Sequence, residues 1–97
     1  MLESDYKTLL IQKLYTIYPS SIIMHLDPSE IQGIPDIIIL YKNKWATLEG
    51  KKDSDAPFRP NQPYYIDLMN RMSFSRAIYP ENEEQVLREL MLFMSED

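Results

Sequence analysis

The fold of this chain depends on residues 33–51, which read GIPDIIILYKNKWATLEGK. Two runs of apolar residues on either side of a short polar segment are typical of a β-hairpin. If Lys42 and Asn43 form a two-residue turn, counting back along the antiparallel ladder places Asp36 directly opposite Glu49. Facing residues in such a pair have Cβ atoms roughly 4.5–5.5 Å apart. The hairpin therefore predicts that these two carboxylates are neighbours.

A lysine follows on the same face of the predicted hairpin. Lys51 lies two residues beyond Glu49, so both side chains point the same way. A turn at Asn43 and Lys44 is the alternative, and it would place Asp36 opposite Lys51 with Glu49 as the diagonal neighbour. Both registers keep the three groups on one face, whereas a one-residue slip of the pairing would move Asp36 to the other face. Two carboxylates and an ammonium at the end of a sheet predict a divalent-metal site for phosphoester hydrolysis.

The hydrophobic periodicity of the rest of the chain predicts the order α, β, β, β, α, β, α. The predicted elements are a helix over 4–17 capped by Ser4, strands at 21–26, 34–41 and 45–51, a helix through 65–72, a strand at 74–79, and a helix capped by Asn82 with Gln85 as reciprocal partner. The strand at 34–41 is almost wholly apolar, and we expect it to be buried on both faces. A helical crossover after the hairpin implies a parallel pair beside an antiparallel one, and therefore an α/β domain with a mixed sheet.

Length and composition exclude several classes of protein. With 97 residues, the chain is expected to form a single domain over 1–97. It has no cysteine, which excludes disulfides and thiolate zinc sites. No apolar run approaches the roughly 18 residues of a membrane span, and the first twenty residues lack a signal-peptide pattern. We therefore expect an intracellular, cytoplasmic protein without a membrane partner, encoded either by a cell or by a phage that acts inside one.

The formal net charge of −5 disfavours a nucleic-acid binder, but the charge is unevenly distributed. Residues 42–76 carry seven Lys or Arg against four acids, a balance of +3. Residues 1–41 have a balance of −3, and residues 77–97 have a balance of −5. The basic charge is thus expected around the candidate site, where a phosphate backbone would need it. Ordinary scatter of solvated charge is the alternative.

Three motifs together indicate a family. The pattern of GIPD at 33–36, EGK at 49–51 and Gln62 resembles the PD-(D/E)XK nuclease superfamily. It is most similar to the VRR-NUC branch of compact viral and repair nucleases, which are related to Holliday junction resolvases. The resemblance covers 33–79 by motif and the whole chain by order of elements. It implies a restriction-endonuclease-like αβββαβ core with a mixed central sheet and an extra C-terminal helix.

The residue types fit metal-dependent hydrolysis on their own terms. Asp36 and Glu49 supply the hard oxygen ligands that Mg²⁺ or Mn²⁺ prefers. Lys51 can orient or help deprotonate the attacking water and offset charge in the transition state. The resemblance implies three further roles: a metal-bound carbonyl at Gly50, Gln62 helping to position the lysine or the phosphate as part of the catalytic group, and Glu3 as a further metal ligand.

The resemblance implies a Mg²⁺- or Mn²⁺-dependent DNA endonuclease that prefers branched or flapped DNA such as Holliday junctions, in repair or recombination. Four basic residues are candidate DNA contacts: Lys52, Arg59, Arg71 and Arg76. Because a chain of this size has one catalytic centre, a symmetric cut of both strands implies a homodimer. A non-catalytic or partner-dependent nucleic-acid-binding module on the same fold is the alternative function.

Overall fold

The structure of the chain, a computed structural model, describes residues 1–96. It is an α/β domain of three helices and one four-stranded mixed sheet. The elements are α1 (Glu3–Ile17), β1 (Ile22–His25), β2 (Ile37–Tyr41), β3 (Lys44–Gly50), α2 (Gln62–Met72), β4 (Ser75–Ile78) and α3 (Glu83–Ser95). This order confirms the one predicted from hydrophobic periodicity. None of the helices formed by residues 1–96 is long and apolar enough to cross a bilayer.

The β2–β3 hairpin adopts the first of the two registers. Tyr41 pairs with Lys44, and Ile37 pairs with Leu48. Lys42, the first turn residue, has a positive φ of 56°, as tight hairpin turns require at that position. Continuing the same register by one residue brings Asp36, just before β2, opposite Glu49 in β3.

β2 is shorter than predicted and less buried on one face. It begins at Ile37 rather than Ile34, because Pro35 has no backbone N–H to donate to a sheet ladder. The face carrying Ile37 and Ile39 is fully buried. The side chains at 38 and 40 are only half-buried, so the expectation of burial on both faces is wrong.

β3 is an inner strand of the sheet, between β2 and β4. The strand order is β1-β2-β3-β4, with β2 and β3 antiparallel and β3 and β4 parallel. Thr47 pairs with Ser75 and Gly50 with Ile78, and α2 makes the crossover between these two strands. The mixed sheet predicted from the helical crossover is therefore confirmed.

The hydrophobic core occupies one face of the sheet, under α1 and α3. It contains Tyr6, Leu10 and Leu14 of α1, Ile37, Ile39, Ala46 and Leu48 of the hairpin, Phe74 and Ile78 at β4, and Val86, Leu90 and Met94 of α3. On the other face of β3, Thr47 and Glu49 are also buried, where α2 contacts the strand. A carboxylate is thus held inside a protein layer on the side of the sheet opposite the core.

The start of α1 differs from the prediction in a way that matters for the site. The helix begins at Glu3, and Leu2 occupies the N-cap position. The Leu2 N–H donates to Asp5 Oδ2 at 3.2 Å, and Ser4 lies inside the helix, so the prediction of Ser4 as N-cap is wrong. Glu3 therefore belongs to the first helical turn instead of preceding the helix.

The cap of α3 is also only partly as predicted. Asn82 is the N-cap residue, but its side chain accepts a hydrogen bond from the Tyr79 N–H and donates one to the Ala77 carbonyl. Gln85 donates to Glu89 along the helix instead of reaching back to the cap. The prediction of a reciprocal capping pair is wrong, because the Asn82 side chain bonds residues at the end of β4 instead.

Candidate metal centre

A cleft of about 380 Å³ opens at the end of the sheet where β2 begins and β3 ends. The charged and amide side chains that line it are Glu3, Lys7, Gln32, Asp36, Glu49, Lys51, Arg59 and Gln62. They come from α1, the segment before β2, the end of β3, the following loop and the start of α2. The cleft thus gathers the acidic residues, the lysine and the glutamine singled out from the sequence.

Asp36 stands at the edge of the cleft, where it remains accessible. Its Oδ1 accepts a long hydrogen bond of 3.4 Å from the Gly50 N–H. This contact runs between the segment before β2 and the end of β3, as the hairpin register requires. The second oxygen of Asp36 forms an ion pair with Lys7.

Glu49 is the most unusual group in the cleft. Its side chain is almost fully buried, with 2% of the residue exposed. Burial, with a further contribution from the charge of Asp36, raises the pKa of Glu49 to about 7. Its Oε1 atom is buried and accepts no hydrogen bond from any residue in 1–96. A buried carboxylate oxygen without a partner is costly, and a bound cation would satisfy it.

Lys51 is held in place from three sides. Its Nζ donates to Gln62 Oε1 at 3.0 Å and lies 3.8 Å from Glu49 Oε2. The ammonium also lies over the Phe58 ring, 5.3 Å from its centroid. The same Gln62 oxygen accepts a hydrogen bond of 2.7 Å from the Arg59 N–H, which fixes the amide. Gln62 therefore orients the lysine amine, in line with the role that the resemblance implies.

Lys7 is the charged cleft residue that sequence reasoning missed. It lies on the second turn of α1, and its Nζ bonds Asp36 and approaches Glu3 Oε2 at 3.4 Å. Burial acts to lower the pKa of Lys7, but the hydrogen bond and charge of Asp36, with Glu49 and Glu3 nearby, raise it above its ordinary value. The i,i+4 spacing of Glu3 and Lys7 was the one available signal, and it does not reveal that the pair faces Asp36.

The donor set fits a small hard cation, although the carboxylates are not drawn together around one point. Within residues 1–96, no three His, Cys, Asp or Glu side chains are close enough to form a ready metal site. Asp36 and Glu49 offer carboxylate oxygens, one of them without a partner. Mg²⁺ keeps several waters and is commonly bound through one or two carboxylates, so two such ligands suffice. Glu3 lines the same cleft and is joined to Asp36 through Lys7.

The four candidate DNA contacts lie in different parts of the molecule. Arg59 lines the cleft, and Lys52 lies in an adjoining groove with Lys51. Arg71 pairs with Asp67 on α2, about 14 Å along the helix axis from Gln62.

Arg76 and the hairpin lysines account for the rest of the basic charge. Arg76, on the edge strand β4, pairs with Glu89 of α3, donates a hydrogen bond to Asn70 of α2 and stacks on the Phe74 ring. Lys44 donates to the Phe93 carbonyl at the C-terminal end of α3, at the hairpin tip remote from the cleft. The expected clustering of basic charge is therefore limited to the loop after β3, with Lys7 added from α1.

Comparison with protein-family models, curated proteins and solved structures finds no match to the chain. The functional interpretation therefore depends on the geometry of the cleft and on the motifs at 33–36 and 49–51.

Proposed function

We propose that this chain is a Mg²⁺- or Mn²⁺-dependent phosphodiesterase that cuts DNA internally, with a preference for branched or flapped substrates such as Holliday junctions. The fold proposed with this function is the restriction-endonuclease-like core, extended by α3. The preference for branched DNA comes from the resemblance to the VRR-NUC branch. A symmetric cut would engage two copies of the chain, one for each strand.

The observation that carries the proposal is the meeting of Asp36, Glu49 and Lys51 in one cleft, with a buried Glu49 oxygen that lacks a partner. A structural ion pair would explain an acid beside a lysine, but such pairs normally satisfy both carboxylate oxygens. Here Lys51 lies 3.8 Å from one oxygen of Glu49 and donates its hydrogen bond to Gln62. Three cations match the three acids of the cleft in number, yet one Glu49 oxygen is left without a partner among the described residues, which packing alone does not require.

Each residue has a definite task in the proposed reaction. Asp36, Glu49 and the Gly50 carbonyl would hold the cation, which when bound would supply Lewis-acid activation of water and of the phosphate. Lys51, oriented by Gln62, would donate a hydrogen bond to the attacking water or to the oxygens that gain charge in the transition state.

The experiment is cleavage of a labelled four-way DNA junction with and without Mg²⁺, by the parent chain, Asp36→Asn and Lys51→Ala. We expect each substitution to slow cleavage by about 100-fold or more, because each removes a group that acts on the reacting phosphate. Asp67→Asn and Lys13→Ala are the matched controls, since both remove a surface charge away from the cleft. Cleavage by Asp36→Asn and Lys51→Ala at the parent rate would refute the proposal.

A second function, a nucleic-acid-binding module that needs a partner for affinity, is favoured by one observation. The chain carries a net charge of −5, and Arg71 and Arg76 are both engaged in ion pairs with acidic neighbours. Gel shift of the junction in Ca²⁺ separates the two functions, because Ca²⁺ can fill an oxygen site without supporting cleavage. Tight binding by the isolated chain supports an autonomous enzyme, and no binding supports the partner-dependent module.

A further inference from the structure

Lys7 occupies an unusual position among the acids of the candidate metal centre. Its ammonium forms an ion pair with Asp36 and lies 3.4 Å from Glu3 Oε2. Its side chain is 21% exposed, so the pair is sheltered from solvent. Two of the three carboxylates that line the cleft are thus bridged by a cation that belongs to the chain itself.

The backbone at Gly50 leaves the space through which the Lys7 side chain passes. A Cβ atom at position 50 would lie 2.9 Å from Lys7 Cγ and 3.5 Å from Lys7 Cε. The φ angle of Gly50 is not in the left-handed region, so close approach is the constraint on this glycine. Helix α1 therefore directs a lysine across the backbone between Glu49 and Lys51.

The two ammonium groups of the cleft are held differently. Lys51 is fixed by the Gln62 amide and the Phe58 ring, in addition to Glu49. Lys7 Nζ is held by Asp36 and Glu3, its partners within residues 1–96. Lys7 can therefore leave the carboxylates by rotation of its own flexible stem, whereas Lys51 cannot move without breaking contacts with its neutral partners.

Charge balance supports an exchange at this position. Glu3, Asp36 and Glu49 bring up to three negative charges, and Lys51 offsets one of them. Arg59 also lines the cleft, but it is exposed and forms no ion pair with these acids within residues 1–96. A divalent cation offsets two more, whereas Lys7 offsets one. A cation bound to Asp36 would compete for the oxygen that Lys7 now contacts.

We propose that Lys7 is a tethered competitor of the divalent metal, which holds Asp36 and Glu3 in the metal-free protein and is expelled when the metal binds. This inference rests on the proposed metal centre. On this inference, Lys7 determines the metal concentration at which the site becomes occupied.

The first experiment is calorimetric titration of Mn²⁺ into the parent chain, Lys7→Met and Lys13→Met. Methionine keeps the length of the stem and removes the charge. We expect Lys7→Met to bind Mn²⁺ on the order of tenfold more tightly, because a sheltered charged hydrogen bond no longer has to be broken. Lys13→Met should bind like the parent, since Lys13 lies on the same helix but pairs with Glu83 outside the cleft.

The second experiment is labelling of lysine amines with an acylating reagent, read residue by residue by mass spectrometry, in the parent chain. Lys7 should be protected in the metal-free protein and become several-fold more reactive when Mg²⁺ saturates the site. Lys13 should react equally in both conditions. This readout uses the unaltered chain and is independent of cleavage.

The outcomes separate the two proposals. Equal Mn²⁺ affinity in the parent and Lys7→Met overturns the competition while the metal centre stands. Tighter binding by Lys7→Met together with continued protection of Lys7 at saturating Mg²⁺ also overturns it, since charge alone would then explain the gain. Absence of Mn²⁺ binding in all three chains overturns both the metal centre and the competition.

Discussion

The burial of the Glu49 carboxylate lowers the stability of the fold and raises the pKa of this group. A carboxylate with 2% of its surface exposed and one oxygen without a partner destabilises the fold that contains it. Burial raises its pKa to about 7, so near neutral pH the folded protein holds a mixture of ionised and neutral forms. A strongly shifted pKa of this kind is common among groups at ligand-binding and catalytic sites.

The pH dependence of stability follows from that pKa. An ordinary glutamate titrates near 4.5, whereas folded Glu49 titrates at about 7, so the unfolded chain ionises first as the pH rises. The Glu49 contribution to stability is therefore intact below about 4.5 and is lost between 4.5 and 7. In the presence of a chelator, we therefore expect the unfolding free energy of Glu49→Gln, relative to that of the parent, to increase by about 3 kcal/mol as the pH rises from 4.5 to about 7.

Urea denaturation at several pH values measures this difference. Glu84→Gln is the control, because the side chain of Glu84 is 91% exposed and should change stability little at any pH. A parent-minus-variant difference that stays constant across the range would show that Glu49 does not titrate as described. Added Mg²⁺ should recover stability in the parent but not in Glu49→Gln.

The meeting of Asp36, Glu49 and Lys51 in one cleft could be predicted from the sequence, but the surroundings of these residues could not. Asp36, Glu49 and Lys51 follow from two-residue alternation and the register of a hairpin, which are local rules. Lys7 is separated from Asp36 by a strand and a long loop, and no periodicity shows which turn of α1 lies over Gly50. The unpartnered oxygen of Glu49 is likewise a result of three-dimensional packing.

At the scale of elements, the order of helices and strands was predictable because each has a clear hydrophobic period. The errors occur where side chains compete with the regular pattern. Pro35 delays the start of β2, α1 begins at Glu3 with a side-chain hydrogen bond from Asp5 instead of Ser4, and Asn82 bonds the end of β4. The first two are local effects of nearby residues, whereas the bonds of Asn82 depend on partners outside its helix, which local propensity does not describe.

The segment before β2 and the start of α2 meet at a tight backbone contact. Gly33 has a φ of 94°, and a Cβ atom there would lie 2.6 Å from Asn61 Cβ and 2.7 Å from its carbonyl carbon. Asn61 itself has a φ of 70° and is the N-cap of α2. This contact fixes Gln62, and through it Lys51, relative to Asp36.

Gly33→Ala should therefore disturb both stability and the site. The backbone conformation alone costs an alanine about 1–3 kcal/mol, and the clash with Asn61 adds to it. We expect a lower urea midpoint and, in the folded fraction, weaker Mn²⁺ binding, because the two sides of the cleft are forced apart. Ser20→Ala, an exposed position that does not line the cleft, is the control. Parent-like stability and Mn²⁺ affinity in Gly33→Ala would contradict this account of the contact.

At the scale of the whole molecule, a net charge of −5 leaves few groups for a phosphate backbone. The basic side chains beside the cleft are Lys51, Lys52 and Arg59, with Lys7 on α1. Binding that depends on so small a cluster should be weak and moderately sensitive to salt. In the proposed enzyme, shape and the metal would then contribute much of the selectivity for a substrate.

Salt dependence tests this distribution of charge. In Ca²⁺, the logarithm of the junction-binding constant should fall with the logarithm of salt concentration with a slope of about −2 to −4. Arg59→Ala should make the slope shallower by about one, because Arg59 lines the cleft. Arg71→Ala should leave it unchanged, since Arg71 is paired with Asp67 at the far end of α2. Equal effects of the two substitutions would indicate a different binding surface.

The hairpin turn at Lys42 and Asn43 has a practical use. Both residues are exposed, and the turn lies about 20 Å along the strands from Asp36. A fluorophore or a surface tether attached through a cysteine at position 43 would therefore report on the protein without obstructing the cleft. Because the chain has no native cysteine, such a label would attach at one place only.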